Sequence, residues 1–115
     1  GYKSRHYQTL HGESLTGVEV KLDREFRNTG NLWIETQERP SVGAEYKLAG
    51  IYHESDPWLF VIGDYSTLWA MGAQSLRLIH EANVCPEKEN KTNTSRGFLL
   101  PVCKADRHAL FKWEA

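Results

Sequence analysis

The chain predicts an α/β or α+β layered domain, on three observations. Strand-like runs crowd its first two thirds, helical periodicity appears later, and short turn signals between apolar runs allow early hairpins. A length of 115 residues suits one domain, residues 1–115. That is long enough to bury a core without disulfides or a structural metal.

Five strands are expected first. Residues 7–13 make a weak one. Residues 18–23, "VEVKLD", alternate apolar and charged, and residues 31–38, "NLWIETQE", alternate again. "WLFVIGD", 58–64, is a continuous apolar run, which predicts a strand covered on both faces. "TLWAM", 67–71, follows after a "GDYS" turn, so the two should form a hairpin. Residues 73–82, "AQSLRLIHEA", place Leu76, Leu78 and Ile79 together on an amphipathic helix. "CPEKENKTNTSRG", 85–97, is polar and free of aromatics, and predicts a long exposed loop. "GFLLPV", 97–102, reads as a short buried strand whose Pro101 sits at an edge or an end. "KADRHALFKW", 104–113, reads as a closing helix. Residues 40–52 carry two glycines and read as a loop or short helix leading to "AGIY".

Composition narrows the function classes. Apolar residues make up 40% and charged residues 25%, as in a soluble globular protein. No apolar run approaches a membrane span, and nothing at the start resembles a signal peptide. The net charge of −1 argues against coating nucleic acid by bulk attraction, but it allows an acidic site ringed by basic residues. Two cysteines, Cys85 and Cys103, are too few for a disulfide scaffold, so reduced thiols in a cytoplasm are expected. With His80 and His108 they supply the residue types of a zinc site, although the spacing fits no common finger and ordinary buried cysteines are favoured.

The unusual feature is the charge on the early strands. Residues two apart share a face of a strand. Glu19, Lys21 and Asp23 therefore share one face, and Val18, Val20 and Leu22 share the other, which reads as the core side. On the next strand Leu32 and Ile34 oppose Trp33, Glu35 and Gln37. If the two strands form a hairpin with apolar faces matched, Val20 pairs with Ile34 and Glu19 lies opposite Glu35, with Lys21 beside them. Opposed carboxylates repel unless a cation sits between them. A lysine can serve, and so can magnesium or manganese, whose hard character suits oxygen ligands. Lysine, carboxylates and such a metal together carry out phosphodiester hydrolysis. Exposed strands also carry Glu and Lys simply as solubilising pairs, and E-x-K alone is a weak motif.

"GVEVKLDREFRNTGNLWIE" resembles the core of the PD-(D/E)XK nuclease superfamily, in a phage or bacterial branch. "GVEVK" is similar to the strand bearing the (D/E)-x-K half of the motif, and "TGNLWIE" to the strand that follows it. "AGIY", "WLFVIGDYSTLWAM" and "TSRGFLLPV" extend the resemblance over about residues 9–102. It implies a restriction-endonuclease-like fold, with a mixed central sheet flanked by helices and Mg2+ (or Mn2+) at its centre. Glu19 would be a metal ligand together with the carbonyl of Val20, and Lys21 the catalytic lysine. Glu35 joins as an acidic candidate by the register argument. The activity implied is that of a metal-dependent DNA endonuclease in the cytoplasm of a bacterial or phage-infected cell; a nuclease of this size often needs a second copy to cut both strands, so a homodimer is one option, although no interface is legible in the sequence. The superfamily also places an aspartate on the preceding strand, and this chain has none before Asp23. His11 lies near the comparable position, and Glu13, the more natural magnesium ligand, shares its side. The gap equally fits a catalytically inactive nuclease-fold module that binds nucleic acid or a protein partner.

Trp33 lies on the expected site face, where it is available to stack on a base, whereas Trp58 and Trp69 are expected in the core. Arg24, Arg27 and Arg39 flank the site strands and would contact phosphates. Asp64 reads as a turn cap, and His53, Glu54 and Asp56 as loop residues.

Overall fold

Alternating hydrophobicity builds the strands, and they assemble into two sheets rather than one. The computed structural model describes residues 17–115. Among these, β1 (Val18–Leu22), β4 (Leu59–Gly63), β5 (Thr67–Gly72) and β8 (Phe111–Glu114) form one sheet in the order β1-β4-β5-β8. The other sheet runs β3-β2-β7-β6, from β3 (Lys47–Leu48), β2 (Asn31–Glu38), β7 (Ser95–Pro101) and β6 (Glu87–Glu89). Three helices complete a mixed α+β fold: α1 (Phe26–Thr29), α2 (Ala73–Glu81) and α3 (Val102–His108). A 3-10 turn, Gly50–Tyr52, packs on β2. The strand and site residues expected within 7–13, His11 and Glu13 among them, lie outside the described residues.

The expected hairpin of residues 18–23 with 31–38 does not form. β1 instead pairs parallel with β4, so that Glu19 lies beside Phe60 and Lys21 beside Ile62. β2 pairs antiparallel with β7, setting Ile34 against Phe98 and Leu32 against Leu100. The cause lies between them. α1 buries Phe26 against Trp69, ring centroids 5.0 Å apart and edge to face, and this carries the chain from one sheet to the other.

Lateral neighbours in a sheet point to the same side. Glu19 and Lys21 therefore share the inner face with Phe60 and Ile62, and Val18 and Val20 point outward. Both valines are buried, yet neither belongs to the main core. The expected face assignment of β1 is thus inverted. The core lies between the sheets, where Leu32, Ile34, Phe98 and Leu100 meet Phe60, Ile62, Trp69 and Met71. Leu76 and Ile79 of α2 and Ala105 of α3 seal it.

Other elements follow or depart from expectation for local reasons. The β4–β5 hairpin forms, and Asp64 caps its turn by accepting hydrogen bonds from the Ser66 and Thr67 amides at 2.8 and 2.9 Å. α2 forms as expected, but Leu78 is exposed, because the buried stripe runs through Ala73, Leu76 and Ile79. Nearly half of the polar stretch 85–97 is strand. β6 pairs with β7, and the side chain of Asn90 closes the turn by accepting from the Thr94 and Ser95 amides. Pro101 ends β7, where no further ladder donor is needed. The closing helix stops at His108, and the chain then adds β8 along β5.

Candidate functional site

A cleft of about 610 Å³ opens between β1 and β2. Its floor is apolar and built from the two sheets and the 3-10 turn: Ile34, Ile51, Phe60 and Ile62, each at most 2% exposed. One wall carries Lys21, Asp23, Arg24 and Glu25, and the other carries Asn31, Trp33, Glu35 and Leu99. β3 pairs only with Gln37 and Glu38, so most of that edge of β2 is left facing the cleft.

Asp23 holds the two walls together. Its Oδ2 accepts from the Trp33 amide at 2.9 Å and its Oδ1 from the Glu25 amide at 3.0 Å. This carboxylate at the end of β1 thus caps an edge amide of β2. Glu35 is fixed just as firmly. Ser95 Oγ donates to its Oε2 at 2.7 Å. Gly50 and Gly97 press on the β2 backbone around it: a Cβ at Gly50 would fall 2.0 Å from the Glu35 carbonyl oxygen, and one at Gly97 2.1 Å from that of Ile34. The β2–β7 register slips between Glu35 and Gln37, a β-bulge that re-aims the side chains beside it. Thr36, the bulged residue, donates to Glu87 Oε1 at 2.6 Å.

The structure brings together Lys21, Glu35, Trp33 and Arg24, all of which line the cleft. Glu19 is one turn of the pleat away on the same face of β1, with its Oε2 3.9 Å from Lys21 Nζ. Arg24 also stands over the exposed ring of Tyr65, 5.8 Å from its centroid. Arg27 and Arg39 do not line the cleft. Arg27 is paired with Asp64 and also reaches Thr67 Oγ1 at 3.2 Å. That guanidinium, aided by the Ser66 and Thr67 amides against the opposing effect of burial, holds the Asp64 carboxyl well below the usual carboxylate range. Arg39 lies over Tyr46 at 4.3 Å and donates to the carbonyls of Ala44 and Asn93, tying two loops together.

Asp23, Ser95 and Gly50 are the site residues whose roles the sequence concealed. Asp23 was legible as sharing the Glu19–Lys21 face, but its bond to β2 depends on the chain crossing between sheets. Nothing in the sequence marks Ser95.

The zinc set does not assemble. His80 Nδ1 meets the Tyr52 hydroxyl at 2.7 Å, and its Nε2 lies 3.3 Å from Glu87 Oε1. Cys85 is buried, which pushes its thiol pKa up, while Cys103 is exposed. Among the described residues, no three His, Cys, Asp or Glu side chains converge as a metal site. Trp69 is in the core as expected, but Trp58 is 58% exposed. Its indole lies over Gly17, where a Cβ would come within 2.6 Å of Cδ1.

No protein-family model, curated protein or solved structure matches this chain.

Proposed function

We propose that the chain is a metal-dependent endonuclease that hydrolyses DNA phosphodiester bonds, a nuclease-fold protein with its site at the mouth of the cleft. The observation that carries this reading is the position of Lys21. It lies on the inner face of β1, 3.9 Å from Glu19, and opens onto a cleft whose other wall bears Glu35.

The donor chemistry fits magnesium or manganese. Glu19, Glu35 and the Val20 carbonyl are hard oxygen donors, and magnesium is commonly held by one or two carboxylates while keeping several waters. When bound, the ion would neutralise phosphate charge and make water a better nucleophile. The protein's own part is narrower. Lys21 presents a positive charge to a phosphate oxygen and a donor to the attacking water. Glu19 holds the ammonium on that side of the strand. Trp33 and Arg24 steady the rest of the nucleotide chain.

A non-catalytic binding module is the second reading, and one observation favours it. Asp23 spends both oxygens on backbone amides and Glu35 accepts from Ser95, so two carboxylates of the cleft already serve the fold.

The test is incubation with plasmid, linear, single-stranded and branched DNA in magnesium, in manganese and in EDTA. The nuclease reading expects metal-dependent cleavage that Glu19→Ala and Lys21→Ala abolish, with both variants still melting in one cooperative transition. Cleavage by Lys21→Ala at the parent's rate would remove the site. No cleavage in any condition, with DNA still bound, would leave the binding module. Light scattering of the active species reads whether a second copy is engaged.

A further inference from the structure

We propose that the cleft admits one unpaired nucleotide at a time, so the polymer it acts on is single-stranded, frayed or looped rather than continuous duplex. This rests on the nuclease reading of the same site and adds the class of strand it takes.

The shape of the cleft makes the argument. Its 610 Å³ lies within the range of about 300–1,000 Å³ typical of sites for small ligands. Its accessible lining is mainly apolar, with Leu22, Trp33 and Leu99 lying over the buried Ile34, Ile51, Phe60 and Ile62, while its rim is charged. A lining of that kind suits the flat face of a base and has little to offer a phosphate. The rim cations Lys21 and Arg24 have the opposite preference. A nucleotide satisfies both when its base points inward and its phosphate stays at the mouth.

Trp33 decides which nucleotides can do this. Its side chain lines the wall, and stacking on it requires a base with a free face. A base inside a duplex has both faces stacked and its pairing edge engaged, and reaching it requires unstacking and unpairing. An unpaired base has no such cost. With metal withheld, the Glu35 carboxylate oxygen not bonded to Ser95 can accept from a ring N–H, a group that pairing occupies in a duplex. Just outside, Tyr65 is 61% exposed under the Arg24 guanidinium, a second platform for the neighbouring base. Aromatic rings alternating with cations along a strand path are the usual means of holding single strands without regard to sequence.

The test is done in EDTA, so that binding is read without cleavage. Fluorescence anisotropy would follow a labelled single-stranded oligonucleotide of mixed sequence, its blunt duplex, and the duplex carrying an unpaired loop. Single-stranded and looped forms are expected to bind about tenfold or more tightly than the blunt duplex. Trp33→Leu should weaken the single strand by about fivefold to a hundredfold, the range for loss of one stacked base, and leave the duplex unchanged. Tyr65→Ser, on an exposed turn, gives the same comparison if Trp33→Leu misfolds, with a smaller loss. Equal or tighter binding of blunt duplex, no binding of any form, or single-strand binding indifferent to both substitutions would overturn the proposal. The two readings fail separately. Metal-dependent cutting of duplex without single-strand preference removes this inference and keeps the nuclease. Single-strand binding that depends on Trp33, with no cleavage in magnesium or manganese, does the reverse.

Discussion

At the scale of single residues, the chain's charges divide by what holds them. In the sequence Arg27 reads as a phosphate contact and Asp64 as a turn cap, yet they pair with each other across 37 positions, a separation no local pattern reports. The pair has a pH signature. The folded Asp64 carboxyl titrates below its unfolded value. Its contribution to stability is therefore complete above an unfolded carboxylate pKa of about 3.9 and is lost as the pH falls through the folded value. Thermal melts between about pH 5 and about pH 2 should show the parent losing more of its advantage than Asp64→Asn, which has no such proton to bind. A pH dependence identical in the two proteins would show that the pair contributes nothing. The cysteines offer a second contrast. Cys103 should react with a thiol reagent in the native protein, and Cys85 only once the fold opens, because the first is exposed and the second buried. Counting labels by mass before and after denaturation checks this.

At the scale of elements, the sequence was most readable where a pattern could be satisfied by neighbours in the chain. The β4–β5 hairpin and α2 are local structures, and both appear where expected. The partner of β1 is not local. Its alternation gave the strand and its two faces but could not say which face met the core, since Val18 and Val20 are as apolar as any core pair. Residues 104–113 misled for a related reason. Phe111 and Trp113 alternate as a strand should, but four residues are too few to override the helical start before them. The bend of β2 at Glu35 rests on glycine. Gly50 has φ +56° and its absent Cβ would overlap the Glu35 carbonyl, whereas Gly43 has φ +96° with open space around it. Gly50→Ala should lower stability by about 3 kcal/mol and Gly43→Ala by about 1 kcal/mol, because only the first adds a backbone clash to conformational strain. Chemical denaturation of the two variants separates these costs, and equal values would mean that the Gly50 contact relaxes freely.

At the scale of the whole molecule, one core serves both sheets. Phe98 of one sheet is fully buried, stacks on His80 of α2 and shares its cluster with Phe60 and Trp69 of the other. Phe98→Ala is expected to cost about 3–5 kcal/mol. It should weaken both sheets together, so far-ultraviolet and near-ultraviolet signals should fall in one transition. Two separate transitions would mean that the sheets fold independently. No helix among the described residues is long and apolar enough to cross a membrane.

Ten of the fifteen residues bounding the cleft fall between Lys21 and Glu35. Leu99 apart, both walls thus belong to one unbroken run of chain, doubled back at α1. The Asp23–Trp33 bond and the buried Phe26 fix how far apart they stand, and the exposed residues 27–30 are where that turn can vary. Surface turns are where chains gain and lose residues most freely, so the gap can be widened or narrowed without changing any side chain that lines it. Chains that share "VEVK" and "LWIE" but differ in the number of residues between them should differ first in the size of what they admit, and only later in chemistry.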